Sequence, residues 1–316
     1  MTESTVVPVA DPVAELPPRG EDPERVSLGM RVASLLAVIV PFLGLVAAVV
    51  FLWGWGFSWV DLGLLLGMYI LTAVGITVGY HRLFTHRAFE TTPVVQFLLG
   101  ALGSMAVEGP LLKWVAMHRR HHQHSDKPDD PHSPHHQGKG LLGLLRGAWH
   151  AHLGWVFDPN PPNLDRYVKD LRLSGLLRMV SRLFPVWVAV GLLLPAVLGG
   201  LLTGTWTGAL FGLLWGGLVR IFLVHHVTWS INSVCHLWGR RPYRSNDQSR
   251  NNFVFGVLGL GEGWHNTHHA FPTSARHGLR WWQIDASYGF IRALALLGLA
   301  WNVKVAEKQA QAAQRT

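Results

Sequence analysis

Long stretches without a single charged residue limit this chain more than any other feature. Residues 32–60 carry no charge, nor do 62–80, and only Asp61 divides them. A second uncharged run fills the 37 residues between Arg182 and Arg220. A helix that crosses a bilayer needs about 20 apolar residues, and its backbone polar groups must be satisfied within the helix itself. The first pair of runs predicts spans over about 32–54 and 61–80, joined by a short Gly/Trp turn. The later run divides at GGLLTGTWTG into spans near 183–202 and 205–225. The expected fold class is an all-α integral membrane protein with four transmembrane helices in two hairpins. Charged residues make up 15% of the chain, against about 25% in soluble proteins. That composition excludes a disordered protein and argues against an ordinary soluble enzyme.

The placement of positive charge predicts the orientation. Three Lys and Arg precede the first span, thirteen lie in 81–182 and eleven in 220–316, so neither hairpin turn has any. By the positive-inside rule both termini and the middle loop face the cytoplasm. The formal net charge of +8 then marks orientation and contact with anionic headgroups, not a nucleic acid partner. Residues 1–31 are Pro-rich and acidic, with no apolar core of their own, and read as a disordered N-terminal tail instead of a signal peptide. Residues 32–305 form the working unit, with cytoplasmic parts 81–182 and 226–305, and 306–316 is set apart as a C-terminal tail. The apolar stretches 93–112 and 288–301 are interrupted by Glu108, Pro110 and Arg292. They read either as helices lying at the interface or as core helices of the cytoplasmic part. A single cysteine, Cys235, excludes a disulfide framework and any Cys-ligated zinc or iron–sulfur site.

All 18 histidines fall within 81–152 and 225–277. His81 and His86 stand where the second span ends. His118, His121 and His122 form HRRHH, and His265, His268 and His269 form HNTHH. Asn232 and His236 follow the fourth span. Positions i, i+3 and i+4 share a helical face, so each HxxHH presents three imidazoles to one side, and Asn232 and His236 do likewise. His81 and His86 lie about 140° apart on an ideal helix and could serve two ions or straddle one site. This set is too large for one ion and suits two. Neutral imidazole accepts zinc, copper, iron and nickel alike. A redox pair facing lipid has a chemical use for so many ligands, which favours iron. Among the remaining histidines, His152 and His225 are the candidates for holding the second ring nitrogen of a ligand. His132, His135 and His136 read as solvated loop.

The strings GITVGYHRLFTH, WVAMHRRHHQHSD, AHLGW, TWSINSVCHLWG and EGWHNTHHAFP, in this order, resemble the membrane fatty-acid desaturases, in particular the bacterial branch of the Δ9 acyl-CoA (stearoyl-CoA desaturase-like) type, from about residue 60 to 305. The resemblance implies a helical cytoplasmic part carrying a di-iron centre held by His81, His86, His118, His121, His122, His236, His265, His268 and His269. Asn232 matches an asparagine that approaches one iron through water. It implies that O2 and two electrons remove one hydrogen from each of two neighbouring methylenes, giving a cis double bond, Δ9 in this branch, and water. Trp114, Thr228 and Trp229 match positions lining the bend of a narrow acyl tunnel, where Glu108 replaces a glutamine. An Arg-Asp pair that contacts CoA in animal relatives is here Ala116 and Met117. Acyl-CoA is the expected substrate, with an acyl lipid as the alternative carrier, and the bacterial plasma membrane is the expected location. The basic stretch 240–250 would hold an anionic head group or be a solvated face, and DKPDDPHSPH a structured loop.

No cytochrome b5, flavin, NAD or CxxC motif occurs in the chain, so electrons are expected from a ferredoxin or an NAD(P)H-dependent reductase docking on the basic face. A di-iron hydroxylase would share the histidine boxes, but those hydroxylases generally lack the NSxxHLWG and EGWHNxHHxFP strings. A His-rich metal transporter would place polar groups within its spans, and these four are nearly free of ionisable residues. A zinc metalloprotease would need HExxH, which is absent.

Overall fold

The computed structural model describes residues 27–55, 57–158 and 160–316. Most of the N-terminal tail expected over 1–31 lies outside these, and from Leu28 the chain is already helical. Among the described residues four helices are long and apolar enough to cross a membrane: Leu28–Phe51, Trp59–Thr85, Phe184–Thr203 and Trp206–Leu237. The first belongs to α1 (Leu28–Trp55) and the second opens as α2 (Trp59–Val74). Asp61, the lone charge between the first two runs, is part of a capping box. Ser58 Oγ accepts from the Asp61 N–H at 3.2 Å, and the Ser58 N–H donates to Asp61 Oδ2 at 3.0 Å. That reciprocal pair satisfies two orphan donors at the start of α2.

The second and fourth spans outrun the ends read from composition, at 80 and 225, because nothing breaks the helix there. The second continues in π-helical winding over Gly75–Thr85. The fourth comprises α10 (Trp206–Gly212), a π-helical turn at Leu213–Val219 and α11 (Arg220–Leu237). No Gly or Pro stops it until Gly239. Both spans therefore carry histidines of the sequence motifs past the apolar segment on rigid backbone. The third span is α9 (Phe184–Thr203), and Gly204 at φ +65° turns the chain into α10, where Thr205 Oγ1 caps the Gly208 N–H at 3.0 Å. Outward faces of α1 and α9 remain apolar, as expected against lipid tails.

Between the hairpins lie α3 (Pro93–Met105), α4 (Leu111–His124), α5 (Gly140–His152), and the short α6 (Leu164–Tyr167), α7 (Lys169–Arg172) and α8 (Gly175–Arg182). After the fourth span come α12 (Phe253–Leu258), α13 (His265–Ala270), α14 (Ala286–Leu296) and α15 (Lys308–Ala313). The two interrupted apolar stretches show both expected characters at once. Leu99 and Gly103 of α3 are buried against the second span while Val94 and Leu98 face outward, and α14 buries Ile291 while Leu296 is exposed. Helix α3 comes close because Gly75 has no side chain, as a Cβ there would stand 2.1 Å from the Gly103 nitrogen. An antiparallel ribbon pairs β1 (Glu90–Thr91) with β2 (Ala300–Trp301). The segment 306–316 folds back: the Arg244 N–H donates to the Gln314 carbonyl at 2.7 Å and the Thr316 N–H to the Pro242 carbonyl at 3.2 Å.

One buried cation ties the bundle together. Arg220 has no exposed surface and donates only to carbonyls: Nη1 to Met105 at 2.7 Å, Nη2 to Gly191 at 2.7 Å and Nε to Gly216 at 3.1 Å. It joins the end of α3 and the middle of α9 to the fourth span.

Candidate metal centre

The nine histidines of the sequence motifs converge into two groups. His81, His86, His118, His122 and His268 form one, and His121, His236, His265 and His269 the other, with ligand atoms in each group within 4.8 Å of one another. The sequence spacing left His81 and His86 open, and the π winding decides it. The His86 N–H donates to the His81 carbonyl five residues back at 3.1 Å, so residues five apart stand side by side, with ring centroids 4.8 Å apart. Short π segments commonly appear at functional sites. Helix α4 divides its box, sending His118 and His122 to one group and His121 to the other. Helix α13 does the same with His268 against His265 and His269.

The donor set fits two metal ions. Within the first group Nε2–Nε2 separations are 3.0 Å for His81–His268, 3.0 Å for His268–His122 and 3.1 Å for His122–His118. His236 and His265 stand 3.0 Å apart in the second. Two imidazole nitrogens bound at right angles about 2.1 Å from one ion lie about 3.0 Å apart. The Nε2 atoms of His86, His121 and His269 are buried with no hydrogen-bond partner, a costly state for a polar atom unless a cation takes the lone pair. Burial, reinforced by neighbouring imidazoles, pushes His118, His122, His265 and His268 well below the usual histidine value, leaving them neutral and able to ligate.

Carboxylates hold the second ring nitrogens. Nδ1–H donates from His81 to Glu262 at 2.6 Å, from His121 to Asp130 at 2.9 Å, from His236 to Asp126 at 2.8 Å and from His269 to Asp247 at 2.5 Å. Each bond fixes the tautomer so that Nε2 presents its lone pair inward. Burial opposes the charge on Asp126, Asp130 and Asp247, yet their imidazole and hydrogen-bond partners hold all three below the ordinary carboxylate range. This corrects the assignment of His152 and His225 to that role. His152 instead bonds Ser233 and His226, and His225 bonds the Ala106 carbonyl. His132, read as solvated loop, is buried and lies 4.3 Å from the His121 ring. His277 is buried 4.5 Å from the His268 ring. The DKPDDPHSPH stretch is structured and supplies Asp126 and Asp130. The 240–250 stretch supplies Asp247, and Arg241 hydrogen-bonds back to the Asp247 carbonyl and Gln248. Replacing Asp247 by Asn is expected to weaken metal retention about 10–100-fold, read by chelator competition on the purified, metal-loaded protein.

A cavity of about 680 Å³ reaches this centre, with His81, His118 and His265 in its wall. Trp114, Thr228, Trp229 and Asn232 line it too, so the residues singled out as lining an acyl path share one wall. Trp114 stacks on His118 with centroids 5.0 Å apart, and its Nε1–H donates to Glu108 Oε2 at 2.9 Å. Asn232 sits one turn before His236 on α11. Ala33, Ser34 and Ala37 of α1, Pro185 and Val188 of α9, and Trp155, Asp158 and Asn160 also line it. Met117 is in the wall, while Ala116 is fully buried behind it.

Residues 58–302 match the fatty acid desaturase family model. The chain is 46% identical to a hex-5-enoyl-acyl-carrier-protein acetylenase of Moorena producens, over 86% of this chain and 85% of that protein. It is 39% identical to the sn-1 stearoyl-lipid 9-desaturase of Anabaena variabilis, over 80% and 87%. To the sn-2 palmitoyl-lipid 9-desaturase of a Nostoc species it is 34% identical, over 91% and 93%. With the family model covering both histidine groups and most of the chain, this protein belongs to the fatty acid desaturase family.

Proposed function

We propose that this protein is an O2-dependent fatty acyl desaturase that places a cis double bond, at Δ9, in a saturated chain esterified to a membrane lipid. The observation that carries the reading is a largely apolar cavity lined by α1 and α9 and by members of both histidine groups, His81, His118 and His265. Both helices expose apolar surface beside that cavity, Leu36 at 53% and Val186 at 49%, so an acyl chain has a route from the bilayer. Ala116 and Met117 offer no charge to a CoA phosphate, and two relatives are named as lipid 9-desaturases. These points favour a lipid carrier over the acyl-CoA put first on the motifs.

With two iron ions bound, the nine histidines would supply the redox centre for O2 reduction and hydrogen removal, and Asn232 would approach one of the ions through water. The chain's own residues do the rest. Trp114, Thr228 and Trp229 confine the acyl segment, since a reaction at one pair of carbons needs the chain held in register. Buried carboxylates keep the Nδ1 protons in place. Electrons come from a ferredoxin or an NAD(P)H-dependent reductase on the cytoplasmic face, where the termini and the metal centre also lie, in a bacterial plasma membrane. Replacing Trp114 by Ala removes one wall, and double bonds are expected at two or more positions, read by mass spectrometry of derivatised products.

The test supplies iron-loaded protein with reductase, ferredoxin and O2, and offers a stearoyl chain on phosphatidylglycerol, CoA or acyl-carrier protein. An oleoyl product on the lipid is expected. A hydroxylated chain would move the protein to the related hydroxylases, and turnover on CoA alone would overturn the lipid carrier.

A further inference from the structure

The turn between α3 and α4 is held in an unfavourable conformation, and what it presents is a carboxyl. Val107 has φ +66° and Gly109 φ +114°. For a β-branched residue a positive φ is a genuine outlier, and such conformations persist only where their surroundings impose them. Here Arg220 donates to the Met105 carbonyl at 2.7 Å and His225 Nε2–H to the Ala106 carbonyl at 3.0 Å. Between the two unusual residues sits Glu108, whose side chain lines the cavity beside Trp114 and Thr228. Trp114 donates to Oε2 and the Thr228 hydroxyl stands close to the carboxyl, while Oε1 is buried without a well-formed hydrogen bond. Nearby wall residues Ala73, Ile76 and Val224 are apolar.

We propose that Glu108 is a specificity-determining residue of the acyl cavity, admitting an apolar chain only as the uncharged carboxylic acid, so that filling the cavity takes up one proton. This rests on the cavity being an acyl site, as argued under Proposed function. Water in the empty cavity can solvate a carboxylate. A chain displaces that water, and burying an unpaired charge among methylenes is prohibitive. The ionisable groups facing Glu108 do not offset its charge. Tyr69 from α2 and Tyr80 from the π segment are phenols, and His225 from α11 spends Nε2 on Ala106. Lys113 from α4 shares the wall, but among the described residues no ion pair includes Glu108. Burial raises the carboxyl to about 7, against the opposing effects of Thr228 and Trp114. A raised value means the acid form is already present below that pH, where chain affinity is flat. Above it the proton must be supplied, and affinity falls up to tenfold per pH unit.

The experiment titrates anaerobic, iron-loaded protein at pH 8 with distearoyl-phosphatidylglycerol and, separately, stearoyl-CoA, in buffers of different ionisation enthalpy. Wild type is expected to take up close to one proton per chain bound, with Kd rising up to about tenfold between pH 7 and 8. Glu108→Gln keeps the acceptor for Trp114 and is expected to show no uptake and a flat Kd. Equal apparent heats in every buffer for wild type would overturn the proposal, as would uptake that survives in Glu108→Gln. Should that variant fail to fold, the wild-type buffer series decides alone. Binding of neither probe would overturn the acyl cavity and this inference with it. Proton-coupled binding without an olefinic product would sink only the proposed reaction.

Discussion

Replacing His268 by alanine is expected to strip metal from the five-histidine group and reduce desaturation below detection. His268 Nε2 stands 3.0 Å from both His81 Nε2 and His122 Nε2, and its ring is fully buried. It thereby links the end of the second span and α4 to α13. Alanine leaves a gap that a water could fill, but a water gives weaker ligation and no tether. The companion group of His121, His236, His265 and His269 keeps its four imidazoles and their carboxylate partners. The expected outcome is a metal content near one ion per chain, against two in wild type, measured on protein of equal monodispersity. Full loss of both ions would show that the groups are not separable, and retention of two would contradict the assignment of His268.

The second large effect concerns stability. Arg220→Met keeps an unbranched side chain but removes every donor to Met105, Gly191 and Gly216. Each buried carbonyl left without a partner costs about 1–3 kcal/mol, so three place the loss at about 3 kcal/mol or more. A fall in Tm on the order of 10 °C is expected in detergent, followed by tryptophan fluorescence. Arg220→Lys supplies one point donor in place of a planar fork and is expected to recover only part of it. Because the Met105 carbonyl begins the turn that aims Glu108, the Met variant is also expected to raise KM for the acyl substrate more than it lowers kcat. An unchanged Tm would mean that the three carbonyls find water, and that the guanidinium is not the bundle's tie.

What was legible in the sequence follows from how narrow the underlying physics is. Uncharged runs of about 20 residues have few uses outside a membrane, and several histidine boxes together, each beside a predicted helix end, have few uses outside metal binding, so the spans and the nine imidazoles could be read directly. The π winding at Gly75–Thr85 could not, because periodicity arguments assume 3.6 residues per turn, and it is this winding that sets His81 beside His86. The carboxylates were hidden for another reason. Asp126 and Asp130 sit in a loop expected to be structured and Asp247 in a stretch read as a head-group site or a solvated face, and Asp126 reaches His236 across 110 positions of sequence. Only the fold brings them to the imidazoles. One signal was available in hindsight: a loop with five His and Asp within DKPDDPHSPH is unusually rich in groups that pair with each other. Glu108 was visible as a departure from a glutamine, but the strained turn that presents it was not.

The central claim, an acyl chain dehydrogenated beside two histidine-held ions, is tested most directly by fatty-acid analysis of a desaturase-deficient host that expresses this protein with a ferredoxin and its reductase. New cis-monoenes with the double bond at one position, absent from cells expressing the His268→Ala variant, are what the structure predicts. Hydroxylated chains, or unchanged lipids in cells whose purified protein carries two irons per chain, would contradict it.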